Sequence, residues 1–240
     1  MYRFVVTRAL AVTLGTLAVG ALVGCGPTPV ATPGAPTPSA IPSLGTSTPE
    51  ASAVATPAAP TAVELPGGGE LAPGRYTRAA FSPRITFEVG AGWRAVQAED
   101  GFFDIQQDVG SPDVSALQFA RPAGFFGADG DLETATTAAA AASTIQANPG
   151  LNVLDSSASR MSGLDGFVVE VENPGTAEAP AQVLQVPPGA LSIDPGRRLW
   201  IALFDTPDGV VAILVGGSAA RWEEALLAAE PVLETVTIGR

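Results

Sequence analysis

Arg198-Leu-Trp-Ile-Ala-Leu-Phe204, Asp205-Thr-Pro-Asp-Gly209 and Val210-Val-Ala-Ile-Leu-Val215 follow one another without a break. Two apolar runs separated by Thr-Pro-Asp-Gly read as a β-hairpin. Pro207 presets the turn and Gly209 takes the positive φ that a side chain resists. Both strands are apolar on both faces: Trp200, Ala202 and Phe204 point one way, and Leu199, Ile201 and Leu203 the other. A hairpin with one wet face alternates with polar residues. This one must be covered twice, so the fold needs a layer on each side of its sheet.

Two helical stretches are the obvious covers. The first is predicted over Leu132–Ala147, with Asp131 as N-cap, Glu133 in the first turn, and Asn148-Pro149-Gly150 as the stop. The second starts near Ser218. There Trp222, Leu226, Ala229 and Leu233 recur at helical spacing, Glu223 and Glu224 favour the N-terminal end, and Pro231 kinks or restarts the last turn. Further strands are read at Ile85–Val89, which runs into Gly90-Ala-Gly-Trp93, and at Phe102–Gln106, Val114–Phe119, Val153–Ser159 and Gly166–Glu172. In the last of these Phe167, Val169 and Val171 face one way and Glu170 and Glu172 the other. Val236-Thr-Ile238 closes as a short edge strand, and Trp93, Trp200 and Trp222 read as core residues. The expected fold is α+β: a mostly antiparallel sheet with a helix on each face, a three-layer α/β/α sandwich. A β-sandwich or small barrel with two added helices is the alternative.

The order resembles the PsbP-like (Mog/PsbP) α/β/α sandwich. The resemblance is carried by the early strand leading to Gly92-Trp93, Gly163-Leu-Asp-Gly166 before a strand, the late hairpin, and a C-terminal helix ending in Leu233-Glu-Thr-Val-Thr-Ile238. It implies an interaction module rather than an enzyme. The Pro/Gly-rich stretch from Asn173 to Gly196 departs from the pattern and reads as an insertion with a short hairpin.

The beginning of the chain has a separate logic. Arg3 and Arg8 precede an apolar run from Ala9 to Val23, shorter than the ~20 residues that span a membrane but suited to a signal peptide. It ends in Leu22-Val23-Gly24-Cys25, which resembles a bacterial lipobox. That resemblance implies cleavage between Gly24 and Cys25, a thioether-linked diacylglyceryl group on Cys25, and further acylation by fatty chains such as palmitate. Two or three chains anchor stably where one is marginal. The expected organisation is a lipoprotein signal peptide at 1–24, a disordered Pro/Thr/Ala-rich tether at 25–66, and a globular domain at 67–240. The tether cannot bury enough apolar surface to offset its chain entropy. It would lift the domain off the outer face of the cell membrane.

Composition excludes much chemistry. The 12 basic residues are all Arg, His is absent, and Cys25 is the only cysteine. There is thus no Ser-His-Asp triad, Schiff-base lysine, Walker lysine, internal disulfide or Cys/His metal cluster. Residues 1–24 hold two Arg and no acid, so the processed chain carries 10 Arg against 24 acids, net −14. That balance opposes nucleic-acid binding and docking on anionic lipid by charge. No cofactor is expected. The expected partners are the membrane, through the N-terminal lipid, and an envelope protein. A small-molecule or lipid-binding lipoprotein is the alternative and needs a pocket of ~300 Å³ or more. A hydrolase would rest on paired carboxylates among Asp100, Asp104 and Asp108.

Three smaller features stay open. Asp129, Asp131 and Glu133 alternate as if for a cation, but Thr134 and Ala140 stand where an EF-hand has Gly and Glu; acids at a helix N-terminus explain them equally. Phe125 and Phe126, between Gly124 and Gly127, form a contact patch if exposed and a plug of the sheet end if buried. Arg197-Arg198 either binds a carboxylate or is a solvated strand end.

Overall fold

Leu199, Ile201 to Phe204 and Val210 to Val215 are buried, so the 198–215 hairpin is covered on both faces as its pattern demands. In the computed structural model residues 61–239 are described, apart from Pro112, Ala177 and Pro188, within a compact unit spanning Ala59–Arg240. The expectations for Gly24, Cys25 and the tether as far as residue 60 lie outside the described residues. In chain order the strands are β1 (Val63–Glu64), β2 (Gly69–Glu70), β3 (Gly74–Arg78), β4 (Ile85–Val89), β5 (Arg94–Glu99), β6 (Phe102–Gln107), β7 (Ser115–Ala120), β8 (Gly124–Phe126) and β9 (Leu132–Glu133). Helix α1 (Ala138–Ala147) follows. Then come β10 (Asn152–Met161), β11 (Leu164–Asn173), β12 (Ala181–Val186), β13 (Gly189–Ile193), β14 (Arg197–Thr206), β15 (Gly209–Ser218), α2 (Trp222–Leu233) and β16 (Thr237–Ile238).

The central sheet has eight strands in the order β10-β11-β14-β15-β7-β6-β5-β2, each antiparallel to its neighbours. The predicted hairpin is β14–β15 at its middle, paired from Arg197–Ser218 to Thr206–Gly209, and Gly209 has φ +111°. On one face Leu199, Ile201, Leu203, Ala212 and Leu214 pack against Ala138, Ala141, Ala142 and Ile145 of α1 and against Val183, Leu184 and Val186 of β12. On the other face α2 lies against β15, β7 and β4. There Phe103 and Phe119 stack with centroids 4.4 Å apart, and Phe87 of β4 stacks on both. Each such pair adds about 0.5–1.5 kcal/mol beyond the area it buries.

The fold is therefore a mixed α/β structure, a mostly antiparallel sheet flanked by helices. Each helix shares its face with a small sheet: β13-β12-β8-β9 beside α1, and β1-β3-β4-β16 beside α2. The 173–196 stretch does form a hairpin, β12–β13, and β12 also pairs with β8. Val236–Ile238 ends in the edge strand β16, paired with β4.

Four expectations need correction. The first helix starts at Ala138. Asp131 caps nothing, because Leu132 and Glu133 pair with Phe126 and Phe125 as β9, while Thr137 Oγ1 accepts from Ala140 N and caps the alanine run itself. The buried stripe of α2 is Trp222, Ala225, Ala229 and Val232, with Leu226 and Leu233 only half-buried. The helix is turned so that Ala225 meets Gly217, where a Cβ would sit 2.7 Å from the Ala225 Cβ. Its hydrogen bonding runs past Pro231, with Glu234 N donating to Glu230 O. Trp200 is half-buried rather than core: Val215 pairs with it on one side, but the carboxylate of Glu170 stands on the other. The folded part begins before residue 67: Val63–Glu64 pair in parallel with β3, and Leu65 is buried.

Candidate functional site

The two edges of the central sheet differ. One ends in β2, only two residues long; the other ends in β10, ten residues long with Asn152 to Ala158 all exposed. Among the described residues no strand pairs with the outer side of β10. A strand edge presents a row of unpaired N–H and C=O groups, and proteins ordinarily shorten, bulge or charge such edges. Here the ladder to β11 shifts between Val153 and Asp155, and Arg160 pairs with Asp165 at 3.4 Å. Val153 and Leu154 remain on the surface.

Beside this edge, on the α2 face, lies an acidic flank. Asp155 is opposite Glu170, Glu170 is opposite Trp200, and Glu172 is opposite Arg198. Arg198 Nε donates to Glu172 at 2.8 Å, and its Nη1 lies 3.8 Å from Glu170. So Arg198 does bind carboxylates, within its own sheet, while Arg197 donates to Val114 O. Burial pushes the Glu170 carboxyl above the usual range. The indole of Trp222 and the Arg198 charge pull it back, and the charges of Asp155 and Glu223 push it further up.

A second feature is an open cleft of about 550 Å³ at the end of the central sheet, lined by Asp100, Gly101, Arg121, Thr136, Asp208 and Val210 among others. It forms where the β5–β6 and β14–β15 turns meet the start of the β7–β8 link. Arg121 N donates to Gly101 O and its Nη2 to Asp208 O, while Asp208 Oδ2 accepts from Ser82. Its walls are mostly turns, with the Arg121 guanidinium held on a backbone carbonyl; of its lining, Val210 belongs to the α1-side core and Ala135 packs against it.

The carboxylates considered for hydrolysis do not gather. Asp100 lines the cleft, Asp104 is buried within β6, and Asp108 sits past the end of β6 with φ +54°. Asp104 faces the α1 side, opposite Gln118 and Gln97. Its Oδ2 accepts from Gln106 and Gln118, its Oδ1 has no hydrogen-bond partner, and burial raises its pKa to about 6. Among the described residues no three His, Cys, Asp or Glu side chains are placed to hold a metal ion. Glu133 turns instead to Thr144, whose hydroxyl donates to it at 3.3 Å.

Phe125 and Phe126 are both buried. This corrects the contact patch: β8 is paired on both sides, with β12 and β9, and Phe125 joins the α1 core. The other buried polar side chains hold backbone. Asn148 Nδ2 donates to Phe126 O and Gln182 O, and Asn173 Nδ2 to Ala179 O and Ile193 O. Sequence reasoning missed the open edge, although Asn152–Ser159 shows its signal, a serine-rich strand without apolar alternation.

No family model and no curated protein matches the chain. Solved structures do. LpqN, involved in cell envelope biogenesis of Mycobacterium tuberculosis, aligns over 72% of this chain and 91% of its own at 13% identity, TM-score 0.42. The cyanobacterial PsbP (CyanoP) of Synechocystis aligns over 75% and 97% at 12% identity, TM-score 0.40. A protein of Bacteroides thetaiotaomicron aligns over 65% of this chain and 45% of its own at 10% identity, TM-score 0.31. Among the described residues no helix is long and apolar enough to cross a membrane.

Proposed function

We propose that this chain is a lipid-anchored, non-enzymatic envelope lipoprotein whose extracytoplasmic domain binds or scaffolds a protein partner. The anchor is Cys25, acylated after cleavage behind Gly24, and residues 26 to about 60 are the tether. The observation that carries the binding role is the β10 edge. Helices α1 and α2 and their small sheets cover the middle of the central sheet, its buried polar residues are few, and its β10 edge offers exposed strand backbone over Asn152–Ala158. Absence of His and Lys and the dispersal of Asp100, Asp104 and Asp108 support a non-catalytic role. Mild cross-linking of native envelopes followed by co-purification tests this reading. A discrete partner, lost when Cys25→Ser releases the chain from the membrane, is the expected result; a solitary monomer contradicts it.

The cleft at Arg121 supports a second reading, a small-molecule-binding lipoprotein. A small carboxylate that perturbs the amide signals of Gly101 and Asp208 in an NMR titration would favour it over the first.

A further inference from the structure

We infer that β10 accepts an extended basic segment of a partner protein as a ninth strand, with an Arg or Lys of that segment seated against Asp155 and Glu170. The inference rests on the partner-binding reading and gives it a surface and a chemistry. Strand addition draws affinity from main-chain hydrogen bonds and specificity from the side chains that flank the new strand. The main-chain row is exposed and without a strand partner over Asn152–Ala158.

The flank decides the charge of the occupant. Asp155 on the edge strand and Glu223 on α2 both lie within electrostatic reach of Glu170, whose strand neighbour Glu172 takes the short ion pair of Arg198. Arg198 is engaged by Glu172 and reaches Glu170 only at 3.8 Å. The same flank disfavours a second copy of this chain, which would bring its own carboxylates to the junction and, once processed, a formal charge of −14. The exposed Val153 and Leu154 offer apolar contact at one end of the strand.

The test uses the full-length chain in detergent micelles and three fluorescent hexapeptides. One alternates Arg with Val, one alternates Glu with Val, and one is the Arg-Val peptide with alternate backbone amides N-methylated. The Arg-Val peptide is expected to bind at low salt, and the other two about tenfold more weakly or worse. Amide hydrogen exchange is expected to slow over residues 152–161. Asp155→Arg is expected to weaken binding about tenfold, and the milder Asp155→Asn by a smaller factor. Any of three results would overturn the inference: equal binding of the Arg and Glu peptides, protection elsewhere than β10, or peptide-free dimers that protect β10. Photo-cross-linkers placed at Ser157 and at Val109 in native envelopes separate the two levels of the reading. A partner captured from 109 but never from 157 leaves partner binding intact and removes the edge.

Discussion

Asp205 Oδ1 accepts a 2.7 Å hydrogen bond from the backbone N–H of Ala138, 67 residues away in sequence. The first residue of α1 is thus capped by a carboxylate from the end of β14, while Thr137 caps Ala140 from within. The central hairpin and its covering helix are joined by charge as well as by packing. A carboxylate at a helix N-terminus satisfies an orphan donor and meets the positive end of the helix dipole. Asp205→Ala is therefore expected to cost about 1–2 kcal/mol in chemical denaturation. Asp205→Asn, which keeps an acceptor, should recover part of that. Equal stability of all three proteins would show the contact to be idle.

Gly166 lies where β11 passes β14. A Cβ there would stand 2.0 Å from Leu203 O and 2.7 Å from the Phe204 ring. Neither neighbour can yield without moving the central hairpin. Gly166→Ala is expected to destabilise by about 3 kcal/mol or more, read as a fall in denaturation midpoint. Gly163→Ala, in the turn just before, should cost less, through its positive φ alone. A Gly166→Ala protein as stable as the parent would contradict the register of β11 against β14.

Most of this architecture is legible in the residues because a strand apolar on both faces has one solution. The hairpin at 198–215 and the two covers follow from it. What misleads is local. Asp131-Leu-Glu133 has the composition of a helix start, yet β8 offers it a strand partner, and pairing is decided by residues elsewhere in the chain. The apolar periodicity of α2 fits two stripes, and the small Gly217 selects the one through Ala225. The candidate site is harder to read, because an edge strand is defined by what fails to pair with it. Nothing in Asn152–Ser159 says which side of β10 is left open.

Asp104 makes stability depend on pH. Its folded pKa of about 6 stands above the ordinary aspartate value of 3.8, so the folded state holds the proton more tightly. The associated stability is fully present below about 3.8 and is lost as pH rises through about 6. The span corresponds to at most about 3 kcal/mol, at ~1.4 kcal/mol per pKa unit. Asp104→Asn cannot titrate. Its melting temperature relative to the parent should climb steadily between pH 4 and 7; a difference independent of pH would contradict the buried, half-satisfied carboxyl.

Asn173 closes the neck of the β12–β13 insertion. Its side chain donates to Ala179 O and Ile193 O, and its own carbonyl accepts from Gly196 N. Asn173→Ala leaves two carbonyls short of a donor and should cost about 2–3 kcal/mol. Limited proteolysis should then cut first between residues 174 and 196. Unchanged cleavage sites would mean that the insertion is held by its packing on α1 alone.

The anchoring of this acidic domain is open to a direct weighing. Mass spectrometry of the protein isolated from native membranes should find a chain beginning at Cys25, heavier than its polypeptide by a diacylglyceryl group and an added acyl chain or two. A free thiol at Cys25 with residues 1–24 still attached would contradict the account at its root.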